Sequence, residues 1–167
     1  MKFPFEITFK EKITVEIDKC PTSELLEFYK GVYERNGVDS VEISDNCLKV
    51  KNAWIGFRIR PGLNWNRWNG VVSAKLEVVE NVDKSRTAIY TFNVAKILII
   101  GLILGIGAGV FVGINVRSIS LSFWSGLIVF GVLGILNWAT ALYQHQLAFD
   151  DFIHGRKFNN SKDYEDE

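Results

Sequence analysis

Apolar and polar residues alternate through most of the first 93 positions. Phe3, Phe5, Ile7 and Phe9 point one way, and Lys2, Glu6, Thr8 and Lys10 the other. Ile13, Val15 and Ile17 repeat the pattern, as do Val41–Ile43, Leu48–Val50 and Ile55–Arg60. Val72, Ala74, Leu76 and Val78 follow, then Ala88, Tyr90 and Phe92. A period of two with one polar side predicts an antiparallel sheet covered on one face only. Turn residues separate the runs at Asp45-Asn46, Pro61-Gly62, Asn69-Gly70 and Asn81–Lys84. The expected domain, residues 1–93, is α+β with a sheet of about six strands.

One stretch breaks the alternation. From Pro21 to Gly37, Leu25, Phe28, Tyr29 and Val32 fall on one helical face, widened by Leu26 and Tyr33. Pro21 suits a first turn and Gly37 a stop. A single helix covering the sheet's apolar face is expected. The other sheet face carries Glu16, Lys49, Lys51, Arg58, Arg60, Lys75 and Glu77. Mixed charge of this kind reads first as a solvated surface and second as a docking face.

Beyond residue 93 the period changes. Ile97–Val116 carries no charge, and neither does Ile119–Leu142. About twenty helical residues cover a bilayer's hydrocarbon core of about 30 Å. Residues 94–142 therefore predict a transmembrane hairpin, with spans near 97–116 and 119–142 broken at Asn115–Ser118. Residues 143–158 predict an amphipathic extension that continues the second span and packs on the soluble domain; 159–167 predict a disordered acidic tail. In the extension, Leu142, Phe149, Phe152 and Ile153 share a face, while His145, Asp150, Asp151 and His154 occupy others. The spacing of His145, Asp150 and His154 does not converge on one face, so a metal site is not expected.

The first span holds Gly101, Gly105, Gly109 and Gly113, four residues apart, with Gly107 off that line. Small residues at this spacing let another helix approach closely, which drives association in lipid. The second span offers Ser122, Gly126, Gly134 and Ala141, with Asn137 nearby. Packing within the hairpin is favoured, because a short loop holds the two spans together; another copy or a different membrane protein is the alternative. Asn137 is expected to face a helix, since an amide in hydrocarbon needs a partner. No Asp, Glu, Lys, Arg or His lies mid-membrane, which disfavours a pump or coupled transporter.

Leu63–Gly70 is the least ordinary surface stretch, with Trp65, Arg67 and Trp68 among three asparagines. The indoles can cap the sheet core, sit at the lipid headgroups or stack on a ligand. Core capping is favoured for at least one of them.

Charge settles orientation more than function. Residues 1–96 carry fifteen Lys/Arg against thirteen Asp/Glu, so nothing points to nucleic acid. Lys84, Arg86 and Lys96 precede the hairpin, Arg156 and Lys157 follow it, and its loop has only Arg117. This asymmetry places both termini in the cytosol. Met1–Glu6 lacks the apolar run of a signal peptide, and Cys20 and Cys47 are expected as free thiols. No P-loop, nucleophile elbow or HExxH is present, and no cofactor or metal is called for. A small cytosolic α+β domain ahead of a two-span hairpin looks like many small prokaryotic inner-membrane proteins. The expected role is a non-enzymatic membrane-anchored interaction module, an accessory subunit or assembly factor. Its expected partners are membrane lipid and a protein, itself or another. The alternatives are a lipid or small-ligand sensor using the Trp stretch, and an oligomeric pore built on the glycine ladder.

Overall fold

A computed structural model describes residues 5–14, 20–36, 38–52 and 70–155. The fold is α+β, with one antiparallel sheet and three helices. The strands are β1 (Glu6–Lys12), β2 (Ser40–Ser44), β3 (Cys47–Lys51), β4 (Ser73–Glu80) and β5 (Arg86–Asn93). Their order across the sheet is β1-β5-β4-β3-β2, every neighbour antiparallel. The expected six strands become five among the described residues. The run from Ile13 does not extend as a second strand there, and Ile55–Arg60 lies outside them.

Alternation does set the faces. Leu48, Val50, Ala74, Leu76, Val78, Ala88, Tyr90 and Phe92 are buried on one side. Lys49, Lys51, Lys75 and Glu77 stand on the other, where Lys75 Nζ meets Glu77 at 2.6 Å. Tight turns close the hairpins, Asp45 and Lys84 taking left-handed φ values of 52° and 63°.

Helix α1 (Thr22–Arg35) lies over β2 and β3. Its start is tied down by the buried Arg86, whose Nη1 donates to Cys20 O at 2.7 Å and Thr22 Oγ1 at 2.9 Å. One helix does not cover this sheet. Five strands at about 4.8 Å spacing span roughly 20 Å, about twice a helix diameter. The other half of the face, over β1 and β5, is covered by the far end of the chain.

That end belongs to a long helix. Helix α2 (Ala95–Val116) starts one residue after β5 and ends at Arg117, whose left-handed φ is 53°. Helix α3 (Ile119–Phe130), a π-helical segment (Gly131–Leu136) and helix α4 (Asn137–Ile153) then follow without interruption. The α2 helix and the 35-residue Ile119–Ile153 helix are each long and apolar enough to cross a membrane.

Helix α4 runs antiparallel along β5. His145 stacks on Phe92, Phe149 on Tyr90 and Phe9, and Phe152 meets Tyr29 of α1 edge-on. Ile153 O then accepts hydrogen bonds from Thr14 N and Oγ1, beside the start of β5. The sheet thus stands along the helix axis. Its edge bearing Glu6, Asn93, Ser73 and Lys51 is the one nearest the α2–α3 pair.

At the opposite edge, Asp83 accepts from Ser85 Oγ at 2.7 Å and from Lys12 Nζ at 3.2 Å. The Ser85 hydroxyl first, then the Lys12 ammonium, hold its carboxyl down to about 2. A lowered carboxylate pKa adds stability that is fully present above the unfolded value, 3.8, and is lost as pH falls through about 2. Asp83→Asn is expected to flatten the acid limb of the stability curve in that window. An unchanged acid limb, with an Asp83 carboxyl titrating near 3.8 by NMR, counts against this turn as a pH-sensitive contact.

Candidate functional site: the helix pair and its junction with the sheet

The glycines of α2 face the second long helix. A Cβ placed on Gly101 would lie 2.5 Å from Gly134 Cα and 2.7 Å from its nitrogen. On Gly105 it would lie 2.8 Å from Gly126 O, and on Gly109 3.0 Å from Ser122 O. These are contacts with backbone, which cannot rotate aside. Gly113 meets only the Ser122 side chain, at 3.0 Å, and Gly107 meets nothing within 4 Å. Ser122 Oγ donates to Gly109 O at 2.5 Å, so the pair also carries an interhelical hydrogen bond, two turns along from the closest approach at Gly101 and Gly134.

Asn137 finds a partner within its own helix. Its amide donates to Leu133 O of its own helix at 2.9 Å, and Thr140 Oγ1 likewise donates to Leu136 O at 2.8 Å. Both carbonyls belong to the π segment. One amide donor is thus satisfied one turn back.

At the junction with the sheet, His145 is fully buried. Its Nδ1 shares a hydrogen bond with Tyr90 Oη at 2.7 Å, and its ring lies 4.5 Å from that of Phe92. Sequence reasoning set His145 on a different face from Phe149 and Phe152. It is on the same one, and the spacing 145, 149, 152 carries the helical signal that its polarity obscured. Lys96, counted as an interfacial charge, is also buried. Next to it, Gly70 takes φ 93°, and a Cβ there would overlap the Ile97 side chain.

Tyr29 links the two covering helices. Its hydroxyl donates to Asp151 O at 3.2 Å, and burial pushes the phenol well above its ordinary pKa. His154 Nδ1 sits 2.9 Å from Asp150 O and 3.2 Å from Asp150 Oδ1, away from His145. Among the described residues no group of three or more His, Cys, Asp or Glu is placed to hold a metal. Cys20 and Cys47 are free thiols, half-buried, and burial pushes Cys47 up.

Trp65, Arg67 and Trp68 lie outside the described residues. The chain leaves at Asn52, whose N–H bonds Val72 O at 2.9 Å and whose Nδ2 donates to Val71 O at 3.1 Å. It returns at Gly70 against α2. Both described ends of that stretch are at the helix-pair edge of the sheet.

A shallow hollow on the open sheet face escaped the sequence reading. It encloses about 280 Å³ at that same edge, with Lys49, Lys51 and Lys75 among its walls. The alternating lysines were visible one by one, but their convergence depends on strand register.

No family model matches the chain, and neither does any curated protein or solved structure.

Proposed function

We propose that the chain is a membrane-anchored, non-enzymatic interaction module, with the hairpin in the bilayer and both termini in the cytosol. The observation that carries this reading is the junction. The second long helix is built into the core of the sheet domain through His145, Phe149, Phe152 and Ile153. A domain mounted in this way cannot swing on a tether. It presents its uncovered sheet face at one height and angle to the bilayer, which suits recruitment of a partner at the membrane surface. The membrane placement is supported by the apolar residues that α2 and α3 leave exposed, among them Leu102, Ile106, Phe111, Ile114 and Trp124. Apolar surface that extensive marks contact with lipid or protein. The positive-charge asymmetry supports the orientation. The oligomeric pore is less well supported, because Gly101, Gly105 and Gly109 lie against the chain's own second helix.

Site-specific photo-crosslinking in intact cells tests the reading. A crosslinker at Lys10, on the open face, is expected to capture a discrete protein; one at Glu34, on α1, is expected to capture far less. Equal and diffuse products from both positions would falsify the recruitment role. Labelling of a Ser118→Cys variant by an impermeant thiol reagent checks the orientation, which is inverted if that position stays protected while the domain reacts.

A further inference from the structure

We infer that the hollow at the helix-pair edge of the open sheet face holds the phosphate of an anionic phospholipid in the leaflet that surrounds the hairpin. The inference rests on the membrane placement proposed above. Register brings the walls together. Asn93, Ser73 and Lys51 are direct cross-strand neighbours, and the next row on the same face is Thr91, Lys75 and Lys49. Among the described residues, Lys49, Lys51 and Lys75 and the neutral Ser73, Thr91 and Asn93 therefore line one space of about 280 Å³, the Thr91 hydroxyl also sharing a hydrogen bond with Thr8 at 3.0 Å. Ammonium groups recognise phosphate as point charges, and hydroxyl and amide donors fill the remaining oxygen positions. Among the described residues, Glu6 is the one carboxylate in the wall. Glu77, one row further from the membrane, takes one of the three donors of Lys75 and leaves two. Lys51 reaches Glu42 only at 3.9 Å.

Height is the second observation. Asn93 is separated from the start of α2 by Val94 alone. The strands run along the α4 axis, so each residue climbs about 3.3 Å from the bilayer, and Thr91 lies about 7 Å beyond Asn93. The headgroup layer of a bilayer is roughly 5–8 Å deep on each side. The two rows that form the hollow therefore fall at headgroup level. A hollow at this height meets lipid phosphate at far higher local concentration than any soluble anion.

The test uses the full chain in non-ionic detergent, with native mass spectrometry counting bound phosphatidylglycerol against phosphatidylcholine of the same acyl chains. Phosphatidylglycerol is expected to be retained preferentially. Lys49→Gln, Lys51→Gln and Lys75→Gln combined are expected to weaken that retention at least about tenfold, given about fivefold for each lysine near an anionic surface. The charge-matched set Lys12→Gln, Lys30→Gln and Lys84→Gln is expected to leave it unchanged. Equal loss in both sets, or no preference in the parent protein, overturns the inference. Displacement of the lipid by millimolar inorganic phosphate overturns it too, in favour of a soluble phosphate ligand. Flotation with liposomes separates the two levels. A chain that floats but shows no preference sinks only this inference, whereas one that fails to float sinks the membrane placement beneath it.

Discussion

Cutting the chain after Leu142 is expected to unfold the sheet domain, although every described strand lies upstream of the cut. The segment removed holds His145, Phe149, Phe152 and Ile153, which are between 0 and 5 % exposed. Without them Tyr90 and Phe92 lose the rings stacked on them, and the β1–β5 half of the sheet faces water. A buried phenylalanine reduced to alanine costs about 3–5 kcal/mol, and a whole domain is stable by only about 5–15 kcal/mol. Loss of four buried side chains together exceeds what the remaining core supports. In the full chain, Phe152→Ala alone is expected to lower stability by about 3–5 kcal/mol. Denaturant titration of the detergent-solubilised protein, followed by circular dichroism, measures both. A cooperative β-sheet transition of parental midpoint in residues 1–142 would show that α4 merely leans on the domain.

The sheet was largely legible because period-two alternation reports a face directly. Ala74–Val78 and Ala88–Phe92 have the burial their spacing implies, whereas Val72, ahead of the strand, is only half-buried and Val71 takes the buried place. The helix at Thr22–Arg35 was legible for the same reason at another period. What alternation does not report is how much cover a sheet face needs. That depends on strand count and width, and the second cover is separated from β5 by the whole hairpin. The extension was expected to pack on the domain, but its status as core was hidden by His145. A histidine usually marks a polar face, and here its ring stacks in an aromatic cluster while Tyr90 satisfies Nδ1. The lysine hollow was hidden for another reason. Lys49 and Lys75 are far apart in sequence and face each other only through the β3–β4 register.

The π segment explains why one helix serves two contacts. Ser122, Gly126 and Gly134 meet α2, and Ala141, His145 and Phe149 are buried further along, mostly four residues apart. An α-helix turns in 3.6 residues, so each step of four overshoots by about 40°. Over three or four steps the contact face would swing round to the helix's exposed side. A wider turn at Gly131–Leu136 absorbs the excess and returns the face to its line. Sequence shows the fours; only the winding shows how they stay aligned.

Gly101→Ala is expected to disrupt the helix pair, while Gly107→Ala is expected to be neutral or mildly stabilising. Intrinsic propensity favours alanine at both positions by about 1 kcal/mol, so any difference comes from packing. At Gly101 the new methyl would sit 2.5 Å from Gly134 Cα, and only separation of the two backbones relieves it. That separation also lengthens the Ser122–Gly109 hydrogen bond, a polar tie between these faces. Overpacking typically costs about 1–3 kcal/mol. On the membrane placement proposed above the cost is felt fully, because in lipid helices are held by contact and hydrogen bonding rather than by exclusion of water. Gly105→Ala should behave like Gly101→Ala, its methyl meeting Gly126 O at 2.8 Å. Gly113→Ala should be milder, since Ser122 Oγ can turn away. Thermal melts of the full chain in one detergent rank the four variants. If Gly101→Ala and Gly107→Ala melt together, the close approach at Gly134 does not hold the pair, and the glycine spacing loses its structural meaning.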